Sequence, residues 1–140
     1  LLFSDENLGV IGIAHAGWQG TVQGVATAGI KAMQEKYGSK PENIKAAIGP
    51  SIGVDHYEVG ENVIEQVRAS FGKDAESLLL KVDERRHFDM LAANRIQFEE
   101  AGVTQIETAN LCTACHLEDW YSHRAEKGKT GRFGAMIALK

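Results

Sequence analysis

The sequence predicts a domain of the α/β or α+β class. Two observations carry that expectation. Short apolar runs of strand length alternate with stretches whose apolar residues recur at helical spacing. A composition 44% hydrophobic and 24% charged over 140 residues also suits one compact, cored domain or part of a larger one.

Taken in order, Leu1-Leu2-Phe3 reads as the end of a strand and Ser4-Asp5-Glu6-Asn7 as a polar turn. Chains seldom begin inside a buried strand, so sequence is expected upstream, with sheet partners lost and an apolar edge exposed. Residues 10–14 read as a buried strand and 15–20 as a tight connection. Thr21 is placed to cap the next helix, whose core face carries Val22, Val25, Ala26, Ile30 and Met33. Residues 44–48 form a second strand, followed by the loop Gly49-Pro50-Ser51-Ile52-Gly53. Val63, Ile64, Val67 and Phe71 mark another amphipathic helix, and residues 78–82 another strand. A third helix is expected over residues 87–100 with Gly102 as its stop, then a strand at 103–108 and a closing strand at 133–139.

A net charge of −4 argues against a basic nucleic-acid footprint. No apolar run approaches a membrane span, and the first residues lack signal-peptide order. Two cysteines make no disulfide framework, so a cytoplasmic protein with reduced thiols is expected.

Four segments bear chemistry. In His15-Ala16-Gly17-Trp18-Gln19-Gly20, a histidine at a strand end faces the rim where α/β proteins place ligands. Imidazole serves as a zinc ligand or general base, the small residues allow close approach, and Trp18 offers a stacking surface. The following helix N-terminus would favour an anion. A packed core histidine and tryptophan explain the same residues as well. The 49–53 loop, followed by Tyr57-Glu58-Val59-Gly60, makes either an anion nest or a plain strand-to-helix connection.

Cys112-Thr113-Ala114-Cys115-His116 matches the haem c attachment pattern, but no export signal accompanies it. As half of a structural zinc site it lacks a second cysteine pair. Gly128-Lys129-Thr130 invites a P-loop reading that fails, because His123 stands where the Walker glycine belongs. Gly128-Lys129-Thr130-Gly131 instead suits a hairpin turn, leaving His123, Arg124 and Arg132 as anion contacts. Arg85-Arg86 reads as a solvated pair, and His56 and His87 as surface or helix-start histidines with no local partner.

Together these segments resemble one family. The HAGW segment at His15, the 49–53 loop with Tyr57-Glu58-Val59-Gly60, Asn94 with Ala101-Gly102-Val103, Cys112-Thr113, Ser122-His123-Arg124 and Thr130-Gly131-Arg132 occur in the order seen in laccase-domain (YfiH-like) proteins. The resemblance covers nearly the whole chain and implies a mixed β-sheet with packed helices. Residues 1–140 would form the C-terminal part of a single laccase-like domain, incomplete at the N-terminus.

The resemblance further implies a zinc-dependent purine nucleoside phosphorylase acting on adenosine, inosine or methylthioadenosine with phosphate, with possible adenosine deaminase activity. The family's zinc is held by two histidines and a cysteine. His15 matches one of them, and the other two are expected upstream of Leu1. Cys112 and Cys115 match a different family segment. Trp18, Gln19, Ser51 and Arg124 are the candidate substrate contacts. Two departures bear on them: the family often has Arg where Gln19 stands and a second Arg where Ala125 stands.

The alternatives are a copper-dependent polyphenol oxidase and a non-catalytic binding domain lacking the metal site. Five scattered histidines are too few for several copper ions. No nucleic-acid or membrane partner is expected, and the oligomeric state is left open.

Overall fold

In the computed structural model, which describes residues 1–140, the chain divides into two compact units. The first comprises Leu1–Gly49, Ala93–Ala109 and Ala135–Lys140, and the second Pro50–Ala92 and Asn110–Gly134.

The first unit is built on a four-stranded mixed sheet. Strand β1 (Leu2–Asp5) lies between β2 (Val10–Ile13) and β3 (Ile44–Ile48), antiparallel to both, and β3 pairs in parallel with β6 (Gln105–Thr108). The β1–β2 turn is closed by Asp5, whose Oδ1 accepts the N–H groups of Asn7 (3.1 Å) and Leu8 (3.3 Å). Because β1 is paired on both sides, the expectation of an exposed apolar edge at Leu1-Leu2-Phe3 is corrected. Phe3 is fully buried, and the strand runs on through Ser4 and Asp5, two residues the sequence reading gave to a turn.

Phe3 anchors this core. Its register partner is Gly12, where an added Cβ would lie 3.4 Å from the ring. A Cβ at Gly29 would lie 2.5 Å from its Cζ, and Phe98 meets it edge-to-face at 5.7 Å. Gly29 lies on helix α2 (Val25–Tyr37), which buries Ala26, Ile30 and Met33 as its periodicity predicts.

Ahead of α2 the helix predicted as continuous is broken. A five-residue helix, α1 (Trp18–Val22), ends at Gln23, and Gly24 turns the chain at φ +80°. Thr21 is therefore no cap. It sits inside α1, fully buried, and the cap position belongs to Gly17. Residues 10–14 also prove less buried than expected, with Ile13 48% exposed, because β2 is an edge strand. The 44–48 strand is found as predicted, and the 103–108 strand shortens to Gln105–Thr108. Residues 133–139 form no strand and Met136 is 88% exposed, since an apolar run without a ladder partner gains nothing from extension.

The second unit carries α3 (Glu61–Phe71), which buries Ile64, Val67 and Phe71, a short α4 (Ala75–Leu78), and a hairpin of β4 (Leu79–Val82) and β5 (Arg85–Phe88). Its two-residue turn places Asp83 at φ 45° and Glu84 at φ 65°, a left-handed pair more usually occupied by Asn-Gly. Residues 57–59 lie against the other side of β5, with Phe88 N–H donating to Tyr57 O (3.0 Å) and Val59 N–H to Arg86 O (2.9 Å).

This pairing overturns the helix expected from residue 87. His87 and Phe88 belong to β5, and helix α5 (Met90–Glu100) begins only after Asp89, whose carboxylate accepts the Ala92 N–H at 2.9 Å. The helix does stop at Gly102, with φ +87°. Residues 110–134 contain no regular helix or strand. Gly128-Lys129-Thr130-Gly131 is consequently not a hairpin turn, because no strands flank it. Gly128 N–H closes on His123 O (2.8 Å) instead, and the Thr130 hydroxyl donates to Glu126.

Replacing Gly29 by Ala should push a methyl into the Phe3 ring. Overpacking costs about 1–3 kcal/mol and outweighs the roughly 1 kcal/mol gained in helix propensity. The urea midpoint should fall, and Phe3→Leu in the same chain should cost less than it does in the wild type. A Gly29→Ala chain as stable as wild type would contradict this account of the core.

Candidate functional site

In the first unit, His15 stands two residues beyond the end of β2 and is exposed. Glycine at position 17 keeps its face open: a Cβ there would lie 3.1 Å from His15 Nε2. Trp18 is half-buried and Gln19 exposed, both on α1. This short helix is fixed from α5. Asn94 Nδ2 donates to Thr21 Oγ1 (3.1 Å) and Gln97 Nε2 to Thr21 O (2.6 Å), all within buried surroundings. Five residues make a poor macrodipole, so the anion-binding helix end expected after His15 is a single turn at most.

In the second unit, Ser51 is half-buried. Its backbone makes a parallel bridge with Cys112, accepting from Thr113 N–H (2.9 Å) and donating to Leu111 O (3.2 Å). Arg124 is exposed but oriented, with its guanidinium 4.9 Å from the centre of the Tyr57 ring and Nη1 donating to Glu58 O at 2.6 Å. Burial raises the Tyr57 phenol, with Arg124 opposing. The Glu58 carboxyl is held below its ordinary value by the hydrogen bond from Arg85, at 2.8 Å. Arg85 and Arg86 are thus ion-paired rather than merely solvated, Arg86 reaching Glu76 at 3.2 Å.

Of the two histidines expected at the surface or at a helix start, His56 is exposed and His87 is not. His87 is buried, and its Nδ1–H donates to Val54 O at 2.7 Å. His56, at the end of the turn Val54–His56, brings Nδ1 to 3.8 Å from Cys112 Sγ, 3.7 Å from Cys115 Sγ and 3.1 Å from Asp55 Oδ2. The three ligating atoms of His56, Cys112 and Cys115 all lie within 4.8 Å of one another, and both cysteines are free thiols. Local sequence could supply only the two cysteines, because His56 stands far from them along the chain and is delivered by the fold.

The environment differentiates the two thiols. Burial pushes Cys112 up, but N–H groups from Gly53, Cys115 and Ala114 directed at its sulfur outweigh that and lower it overall. The Gly53 N–H lies 3.1 Å from Sγ. Cys115 is raised, first by its hydrogen bond with Cys112, then by burial and by the negative charges of Cys112 and Asp55. The His56 imidazole is raised chiefly by its hydrogen bond to Asp55.

These features define an α/β domain of the YfiH type. The crystal structure of the YfiH protein of Bacillus licheniformis superposes with a TM-score of 0.86 at 36% identity, over 93% of this chain and 50% of that one. The family described as multi-copper polyphenol oxidoreductase laccase matches residues 1–140, and the chain belongs to that family. It is 41% identical over 139 residues, 99% of its length, to a purine nucleoside phosphorylase of Deinococcus radiodurans, covering 53% of that protein. Over 135 residues, 94% of its length, it is 33% identical to adenosine deaminase RL5 of an unknown prokaryotic organism, covering 51% of it. The chain thus spans about half the length of the curated relatives it matches. The copper reading gains no support. The single group of three metal-ligating side chains contains only one histidine, which cannot assemble a multicopper centre.

The thiol asymmetry is measurable. In the reduced, metal-free chain, Cys112 has the lowered pKa and carries more thiolate at any pH below the ordinary thiol range. Iodoacetamide labelling followed by peptide mass mapping should modify Cys112 at lower pH than Cys115, although Cys115 is the more exposed. The reverse order would show that the amides around Cys112 do not stabilise its thiolate.

Proposed function

We propose that this chain is the His15-bearing part of a zinc-dependent purine nucleoside phosphorylase. Its substrates are adenosine, inosine or methylthioadenosine together with phosphate. The observation that carries the reading is the family match over residues 1–140, joined to an exposed His15 at a strand end with only glycine in front of it. Relatives bearing the phosphorylase name support the reaction class.

In this chain His15 belongs to no group of three ligating side chains, so by itself it does not fit the requirement for zinc. What the chain contributes is binding and orientation. Phosphorolysis joins a phosphate oxygen to the anomeric carbon as the glycosidic C–N bond breaks and the purine leaves with its electron pair. The charged groups that position phosphate contribute much of such catalysis. Arg124 suits this role, because its Tyr57 and Glu58 contacts fix the guanidinium plane while further N–H donors remain. Trp18 supplies a flat surface for the base, with Gln19 and Ser51 as further polar contacts.

Adenosine deamination is the second reading, favoured by the name of the RL5 relative. The two separate cleanly in an assay of the protein containing this chain. Inosine with phosphate should release hypoxanthine and ribose 1-phosphate, and adenosine without phosphate should yield inosine only if deamination also occurs. Arg124→Ala should raise KM for phosphate about tenfold or more, equivalent to loss of roughly 1.5–3 kcal/mol from a charged hydrogen bond, and Arg124→Lys should recover part of it. Absence of base release from any nucleoside, alongside an intact fold, would favour a non-catalytic binding domain. Copper-dependent oxidation of a phenol would reverse the assignment.

A further inference from the structure

We propose that His56, Cys112 and Cys115 form a zinc-binding site that shares no residue with the His15 segment and clamps the irregular 110–134 stretch of the second unit. A tetrahedral zinc with ordinary Zn–N and Zn–S bonds places nitrogen and sulfur about 3.6 Å apart. The two N–S separations here are 3.8 and 3.7 Å. The donors therefore stand at ligand spacing before any metal enters.

The proton inventory points the same way. His56 Nδ1 faces two sulfurs and the Asp55 carboxylate. One imidazole proton satisfies one acceptor well, whereas a cation meets the nitrogen and both thiolates at once. Binding releases the two thiol protons and leaves the imidazole neutral, its remaining proton on Nε2. Two thiolates and a neutral imidazole then balance the charge of Zn2+. Soft sulfur donors select zinc over the hard cations that carboxylates prefer.

The backbone is already shaped for this. Gly53 N–H points at Cys112 Sγ from 3.1 Å, the kind of outer hydrogen bond that orients a ligating thiolate. A side chain at Gly53 would strike this arrangement, with its Cβ 2.6 Å from Asp55 Oδ1 and 3.3 Å from Cys112 Sγ. Cys115 N–H closes a turn on Cys112 O at 3.2 Å, presenting both sulfurs from one loop. His56 and Cys115 are exposed, so the fourth coordination position is open to water. The metal would join the turn Val54–His56 to a loop that no sheet or helix holds, in a stretch that also carries Arg124.

The test uses the reduced, chelator-stripped chain. Zinc is titrated against a chromophoric competitor, and Co2+ is added separately as a spectroscopic probe. The wild type should take up zinc and, with cobalt, show near-ultraviolet thiolate-to-metal charge transfer. Cys115→Ser should weaken zinc binding by more than the roughly 10–100-fold that loss of an outer partner costs, and should diminish the charge-transfer band. His56→Gln should weaken binding while leaving two thiolates to be read by cobalt. His15→Ala should leave the charge-transfer band unchanged. Because Cys115 is exposed, its serine variant keeps the test independent of any folding defect in a Cys112 variant. Three results would overturn the proposal: no charge transfer in the reduced wild type, zinc affinity unchanged in Cys115→Ser, or loss of the band in His15→Ala.

Discussion

The first unit depends on how one aromatic ring is accommodated. Phe3 stands on β1, which is hydrogen-bonded on both sides and has no freedom to tilt away. Its ring needs space on the neighbouring strand, which Gly12 leaves, and beneath the covering helix, which Gly29 leaves. Phe98 then closes the remaining side edge-on, a geometry worth about 0.5–1.5 kcal/mol beyond the area buried. Glycine within a helix weakens it, and α2 accepts that cost because any larger residue at position 29 would hold the helix off the sheet. The same layer sets the end of β2, and with it the place where His15 emerges.

Much of this was legible in the sequence, and the failures have a common cause. Elements whose apolar spacing matches their own burial were read correctly, as with Ile64, Val67 and Phe71 on α3 and the strand at Ile44–Ile48. Elements defined by a distant partner were not. His87 and Phe88 look like a helix start, but Tyr57 and Val59 recruit them into a strand from across the unit. Residues 133–139 look like a strand and have no partner to make them one. Thr21 looks like a cap because its burial depends on Asn94 and Gln97, more than seventy residues further on. Local chemistry predicts what a segment prefers, and tertiary pairing decides between preferences of similar strength.

The candidate residues divide along the same line. His15 is singled out by the family segment it belongs to, and the structure leaves it exposed just beyond β2. Arg124 was recognisable by residue type, though its stacking on Tyr57 was not. His56 was missed because its significance lies entirely in Cys112 and Cys115, which reach it through the parallel bridge between Ser51 and Cys112. That bridge had no sequence signal beyond a loop rich in glycine and proline.

Regular and irregular segments fix their side chains by different physics. Around His15 the backbone is ordered by the β1–β2 ladder and by buried amide side chains grasping Thr21. Residues 110–134 have no ladder. Their order comes from turn hydrogen bonds within the stretch, such as Gly128 N–H to His123 O, and from separate ties to the rest of the unit, among them the Ser51–Cys112 bridge and Arg124 to Glu58 O. Each such contact contributes about 1 kcal/mol net. A metal tying two cysteines of this loop to a histidine outside it would add a constraint of a different magnitude, because binding free energy becomes folding free energy when the ligands come from separate segments. The orientation of Arg124 would then depend on a staple about ten residues away in sequence.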